Sequence, residues 1–262
     1  MPSLSQHQSA KITKLLLMGD SGTAKTGSLV SLVKEGYKLR ILDFDNGLDA
    51  LRHQIMAQCP DKIAAVDFVT LRDKLRASPL GNVPDGQPKA FINALNLLDR
   101  WKIGDEDLGK PAEWGEDTVV VVDSLTLMSE AAMRWADSMN PGAKDRRQIF
   151  GAAQSAVENC IALLTSESFA TNVIVIAHTK YLERPDGTTK GFPTAVGNAL
   201  SPKIPAYFNS VAWTTTGPGN KRQIQTTSTA LIDLKNPSVS MPPVMDLNTG
   251  LATFFSNVRA QQ

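Results

Sequence analysis

Apolar positions along this chain fall into short runs that close on polar or glycine residues, with stretches of helical spacing between them. The first run, 14–18, ends in Gly19. Residues 25–35 carry apolar positions at helical spacing, and Gly36 stands where a left-handed residue ends a helix. Residues 38–43 predict a second strand, followed by the turn-forming Asp-Phe-Asp-Asn-Gly of 43–47. A short helix is expected over 48–56, before Pro60, and a strand over 65–71. Residues 78–88 are rich in proline and glycine and read as a loop, with Pro88 opening a helix. In that helix Phe91, Leu95, Leu98 and Trp101, with Ile92 beside them, share one face and predict core packing. Residues 104–116 read as an acidic surface loop.

The most continuous apolar run is Val119, Val120, Val121 and Val122 after Thr118, and it closes on Asp123. Uninterrupted β-branched residues predict a central parallel strand buried on both faces. Helices are expected over 125–139 and 149–164, separated by a basic turn at 140–147. Ala152, Ala153 and Ala156 suggest close packing of the second helix. Residues 172–177 form another buried run, ending at His178. Residues 181–200 carry no periodicity, and a loop of about twenty residues inside a compact domain is usually functional. A strand over 210–216, a turn at 217–220 and a partner over 221–227 predict a hairpin, with 230–234 continuing in β fashion.

Strands alternating with helices define an α/β fold: a mostly parallel central sheet flanked by helices, with an antiparallel C-terminal edge. The expected organisation is a disordered N-terminus over 1–10, a core over 11–237 and a C-terminal extension over 238–262. Ligands of such sheets bind beyond the carboxyl ends of the strands. The predicted strand ends carry Gly19, Asp43 or Asp45, Asp123 and His178.

Composition narrows the classes. The 262 residues carry a formal net charge of +1, so nucleic acid would be met by local patches rather than a global basic field. Cys59 and Cys160 stand far apart, and His7, His53 and His178 sit at no ligand spacing to them, which disfavours structural zinc. Cysteines without a framework fit a reducing cytoplasm. The N-terminal residues lack the apolar segment of a signal peptide, and no apolar run reaches the ~20 residues of a membrane span. A cytoplasmic location is expected.

The chemistry begins at Gly19-Asp20-Ser21-Gly22-Thr23-Ala24-Lys25-Thr26, followed by Gly27. The order of strand, glycine-bearing loop, lysine, hydroxyl and helix suits a triphosphate such as ATP. Backbone N–H groups wrap the phosphates and the positive end of the helix faces them. Lys25 would reach the β- and γ-phosphates and the Thr26 hydroxyl would ligate Mg²⁺. The second glycine of the usual pattern is replaced by Ala24, which fits if its φ is negative. Asp123 is the expected second Mg²⁺ partner. A carboxylate on a neighbouring strand end would orient or deprotonate the attacking water, and both Asp43 and Asp45 are candidates.

These segments, with Val-Ile-Ala-His-Thr-Lys at 175–180 and Gly-Asn-Ala-Leu at 197–200, resemble the ordered motifs of a RecA-type ATPase core. More narrowly, the chain is similar to phage-encoded ATPases made of little more than that core, which act in DNA recombination by single-strand annealing. The resemblance covers about 11–237. It implies that Asp45 takes the place of the family's catalytic glutamate, one methylene shorter. It also implies that His178 is the γ-phosphate sensor and that Lys235 reaches toward a neighbouring subunit's ATP. Mobile DNA-binding loops would correspond to about 137–148 and 181–197. Homo-oligomerisation as a ring or short helical filament, and a single-strand-binding protein as partner, follow as expectations.

Lys144, Arg146 and Arg147 form one basic cluster; Lys180, Arg184 and Lys190 form another, with Tyr181 and Phe192 nearby. Phosphate contacts and aromatic stacking of this kind hold single-stranded DNA without sequence preference. A helicase loader or motor and a nucleotide-responsive scaffold share the same core and are the rival readings. A small-molecule kinase would need an arginine-rich lid, which the sequence lacks.

Overall fold

In the computed structural model, residues 11–79, 81–142, 145–184 and 186–260 are described. The elements run β1 (Lys14–Gly19), α1 (Lys25–Ser28), α2 (Val30–Lys34), β2 (Lys38–Asp43), α3 (Asp49–Gln58), β3 (Val66–Thr70), β4 (Leu75–Ser78), β5 (Gly81–Pro84) and α4 (Ala90–Asp99). They continue with β6 (Lys102–Ile103), β7 (Glu106–Asp107), β8 (Gly115–Asp123), α5 (Leu125–Met139), α6 (Arg146–Thr165), β9 (Thr171–Glu183) and β10 (Thr189–Pro193). The last are α7 (Gly197–Leu200), α8 (Ile204–Tyr207), β11 (Ser210–Thr216), β12 (Arg222–Gln225), β13 (Val244–Asp246) and α9 (Leu247–Arg259).

The main sheet has the order β13-β12-β11-β1-β9-β8-β2-β3. Every pairing from β11 to β3 is parallel, and β12 and β13 extend the sheet antiparallel. The α/β architecture with an antiparallel C-terminal edge is as the sequence predicts. Because side chains alternate along a strand, the apolar runs feed both faces. Leu16, Met18, Val120, Val122, Val173 and Val175 pack under α4, α5 and α6. Leu15, Leu17, Val119, Val121, Ile174 and Ile176 pack under α1, α2, α3 and α9. Each fully buried aliphatic side chain contributes about 1.5–3 kcal/mol, so these strands are the rigid base on which the site stands.

The helix at 90–99 begins later than Pro88, because Asp73 caps it from a distance. One oxygen of Asp73 accepts the N–H groups of Lys89 and Ala90, and the other accepts Arg134 Nε at 3.0 Å. Phe91, Leu98 and Trp101 are buried as predicted; Ile92 and Leu95 are partly buried against the same core.

Several predicted loops hold structure. The 78–88 segment contributes to a β4–β5 hairpin, and 104–116 holds β7 and the start of β8. The largest correction concerns 181–200. There β9 runs on past the sheet to Glu183 and folds back antiparallel as β10, with Gly191 opposite Tyr181 and Pro193 opposite Thr179. A Cβ on Gly191 would lie 2.9 Å from the Ile232 side chain, so glycine lets the hairpin close on the chain beneath it. Residues 230–234 form only an isolated bridge at Ile232.

Beyond 237, β13 joins the sheet edge and α9 lies on the α1–α2 face, with Phe254 and Phe255 buried and Phe255 edge-on to Tyr37 at 5.5 Å. Among the described residues, no helix is long and apolar enough to cross a membrane.

Candidate active site

Parallel register sets the site. Asp43 lies level with Asp123, and Gly19 lies level with His178 on one side and Thr214 on the other. Five adjacent strands, β11, β1, β9, β8 and β2, therefore deliver these positions to one rim of the sheet, where α1 begins.

The loop from Gly19 to Thr26 is pinned from below. Thr23 Oγ1 bonds the Asp20 carbonyl at 2.8 Å and Thr214 Oγ1 at 2.7 Å, and Thr214 in turn reaches the Met18 carbonyl. A Cβ on Gly19 would stand 2.0 Å from Thr214 Oγ1, so glycine is required there by close approach. Gly22 has φ 78°, the left-handed turn that glycine adopts at no steric cost. The condition for alanine to fit without strain, a negative φ, is not met: Ala24 sits at φ 64°, ψ 36°. The replaced glycine of the pattern would take this conformation freely; alanine bears a steric cost of roughly 1–2 kcal/mol.

Lys25 is buried, and its ammonium donates to the Gly19 and Asp20 carbonyls at 2.9 and 2.8 Å. Burial lowers its pKa, opposed by Asp123, Asp45 and Asp20. The Thr26 hydroxyl donates to Asp123 Oδ2 at 2.7 Å. Burial pushes the Asp123 carboxyl up to about 7; the Thr26 bond opposes this, and the neighbouring Asp45 and Asp43 add to it. A hydroxyl and a buried carboxylate side by side are hard oxygen donors of the kind that hold Mg²⁺ together with phosphate and water. These residues fit the ion.

Asp45 and Asp43 are separated by the turn between them. Asp45 Oδ1 accepts the Ser124 N–H at 3.0 Å and the Ser124 hydroxyl at 2.7 Å. Asp43 is buried and turns to the Asn46 N–H at 2.7 Å and the Thr70 hydroxyl at 3.2 Å. Burial raises the Asp43 pKa against those bonds. The Asp123–Ser124 peptide between these groups is cis.

A cavity of about 250 Å³ brings together Gly22, Ala24, Lys25, Thr26, Gly27, Asp45, Asp123 and His178. Asp43 is outside it and lines a separate cavity with Asn46, Leu48 and Phe68. His178 is held through its backbone, its N–H donating to Thr126 Oγ1 at 3.1 Å and its carbonyl accepting Thr194 N–H at 2.8 Å. Burial and then the Lys25 charge lower its pKa, which favours a neutral imidazole. A larger cavity of about 620 Å³ lies between α2 and α9, lined in part by Lys34, Tyr37, Asn248 and Arg259. It contains none of the loop residues, so size does not mark the site here.

Asp20 and Ser21 are exposed on the loop, and Asp20 accepts the Tyr181 hydroxyl at 3.2 Å to each oxygen. Lys235 does not line the cavity of its own chain; its ammonium donates to the Pro205 and Phe208 carbonyls at 2.9 and 3.3 Å. Sequence reasoning missed Arg222, Gly47 and Ala50, which also line the cavity. Arg222 comes from β12, and no local motif marks it.

The basic candidates divide. Arg146 and Arg147 are exposed at the start of α6, Arg147 held by Asp145 at 3.0 Å and Arg146 4.0 Å from Asp137. Lys180, Arg184 and Lys190 lie on or beside the β9–β10 hairpin. Lys180 bonds Asn198, and both Lys190 and Arg184 pair with Asp233. The Lys190 side chain is only 14% exposed. Lys144 lies outside the described residues.

A parallel sheet with a phosphate-type loop after its central strand, backed by a carboxylate at a neighbouring strand end, defines a P-loop nucleotide-binding protein. Residues 11–238 match the AAA domain family, so the chain belongs to that family of P-loop ATPases. A comparison with curated proteins finds no match. Among solved structures, the chain is similar to an ATPase from the type III secretion system of pathogenic bacteria, at 12% identity and TM-score 0.43, covering 78% of this chain and 52% of that one. The enteropathogenic E. coli ATPase EscN, solved with its central stalk EscO, matches at 11% identity and TM-score 0.44, covering 80% and 44%. An ATP synthase subunit, NeqB from Nanoarcheaum equitans, matches at 11% and TM-score 0.40, covering 78% and 47%. The chain thus spans about half the length of these structures.

Proposed function

We propose that this ATPase uses ATP and Mg²⁺ at the cavity above β1 and acts on single-stranded DNA in phage homologous recombination, by single-strand annealing. The observation that carries the hydrolytic part is the convergence of Lys25, Thr26, Asp45, Asp123 and His178 on one cavity.

Lys25 and the N–H groups of 22–26 hold the phosphates in this reading, after Lys25 exchanges its carbonyl partners for phosphate oxygens. Thr26 and Asp123 hold Mg²⁺, which when bound neutralises phosphate charge. Asp45 takes the role of orienting water, a choice supported by its place in the cavity and by the engagement of both Asp43 oxygens elsewhere. His178 senses the γ-phosphate as a neutral donor or acceptor. Because β9 runs from His178 straight into the hairpin, ATP and DNA would favour the same ordered state.

Support for DNA rests on Arg146 and Arg147 more than on the hairpin: each lies beside a carboxylate, Asp137 or Asp145, but both guanidiniums are largely exposed, whereas Lys190 on the hairpin is held against Asp233 and mostly covered. Lys235 would act on a neighbouring subunit's ATP within a ring or short filament, leaving its present carbonyl partners. A single-strand-binding protein is the further partner of this reading.

The test is the ATP hydrolysis rate with and without single-stranded DNA, with particle size recorded in each state. Stimulation by DNA alone with growth in particle size supports annealing. Stimulation only by a helicase indicates a loader, and nucleotide binding with no turnover in any state indicates a scaffold.

A further inference from the structure

Adding a polyanion to this cavity poses a charge problem. Asp45 and Asp123 line it on one side, and His178 is held toward its neutral form. Lys25 is the cation the loop supplies, and burial works against its charge. The other cation among the described residues lining the cavity is Arg222.

Arg222 opens β12, opposite Thr216 at the end of β11. The same β11 carries Thr214, which anchors the loop through Thr23. The guanidinium is therefore placed by the strand pair that fixes the phosphate loop, and its position is tied to the loop within one subunit. Arg222 is exposed, and its side chain has neither a hydrogen bond nor an ion pair among the described residues. The other basic side chains considered above each have a partner: Lys190 and Arg184 have Asp233, Lys180 has Asn198, and Lys235 has backbone carbonyls. An arginine without a protein partner, facing a cavity built for phosphate, presents fixed planar donors that match phosphate oxygens.

We infer that Arg222 binds a phosphate group of the nucleotide held in its own subunit, as a second cation alongside Lys25. The inference rests on the nucleotide reading of the cavity. It makes Arg222 a binding residue indifferent to the base, because its contact is with phosphate.

The test is equilibrium binding of fluorescent ATP and GTP analogues to the full chain, comparing wild type, Arg222→Ala, Arg222→Lys and Lys25→Ala. Thermal midpoints without nucleotide check the fold. Arg222→Ala is expected to weaken both nucleotides by about tenfold and by the same factor. Arg222→Lys should recover part of the loss, and the loss should shrink as salt rises. Equal affinity for wild type and Arg222→Ala, with Lys25→Ala impaired, overturns the assignment and leaves the phosphate loop standing. A change in the ATP-to-GTP ratio also overturns it, since that marks a base contact. If the wild-type chain binds neither nucleotide, the nucleotide reading itself falls and this inference with it.

Discussion

Ser124 directs two donors at a single oxygen of Asp45: its N–H reaches Oδ1 at 3.0 Å and its hydroxyl at 2.7 Å. Ser124 is fully buried and follows Asp123 directly, so the carboxylate proposed to orient water is tied to the strand end proposed to hold Mg²⁺. The tie fixes the orientation of the Asp45 carboxylate. An aspartate reaches less far than a glutamate, and its placement depends more on what grips it. Asp45→Asn is expected to keep ATP affinity within about twofold while slowing hydrolysis by at least about a hundredfold. Ser124→Ala should slow turnover with little change in binding, and should lower stability by about 1 kcal/mol because the hydroxyl also caps α5. Single-turnover rates beside equilibrium binding separate these effects. Unchanged turnover in Asp45→Asn would shift the role to Asp43.

Ala24 holds φ 64° in the middle of the loop. Replacing it with glycine removes a steric cost without removing a contact. Ala24→Gly should raise the thermal midpoint by about 2–4 °C, and Ala24→Val should lower it. The measurement is thermal unfolding without nucleotide. A midpoint that falls in Ala24→Gly would mean the loop does not hold this conformation.

Lys14 is buried at the other end of β1, with its ammonium on the Phe169 and Thr171 carbonyls and over the Phe169 ring. Burial lowers its pKa to about 7, below its ordinary value of 10.5. Between those limits the unfolded chain binds the proton and the folded chain gives it up, so stability rises with pH. From pH 7 to pH 9 the gain should be roughly 2 kcal/mol, read as a shift of the denaturant midpoint. Lys14→Met should flatten this dependence. A midpoint independent of pH in the wild type over that range would contradict the burial argument.

Exposed and covered cations should behave differently toward DNA. Arg146→Ala with Arg147→Ala is expected to weaken single-stranded DNA binding and to reduce the salt slope by about two. Lys190→Ala should leave the slope unchanged, because its ammonium is covered as well as paired with Asp233. Binding titrations at several salt concentrations decide it, and a slope altered only by Lys190→Ala would move the DNA surface to the hairpin.

Much of this was legible in the sequence because buried parallel strands write themselves as apolar runs, and strand ends that bear chemistry interrupt them. Gly19, Asp123 and His178 were placed by that rule alone. The β9–β10 hairpin was not legible: beyond His178 the strand leaves the core, the continuous apolar run ends, and no position from His178 to Glu183 is fully buried, so neither a run nor an alternation marks it. The choice between Asp45 and Asp43 depended on where the chain turns, which spacing does not encode. The sign of φ at Ala24 is a property of the closed loop, which the sequence leaves open. Arg222 reaches the cavity only because β12 folds back along β11, a relation between distant segments with no local signature.

The most direct test of the account is ATP binding by Lys25→Ala, measured at equilibrium beside the wild-type chain. The account predicts that the wild type binds and that the variant loses detectable affinity, since the loop then lacks the buried cation that meets the phosphates. Micromolar binding retained by Lys25→Ala would contradict it.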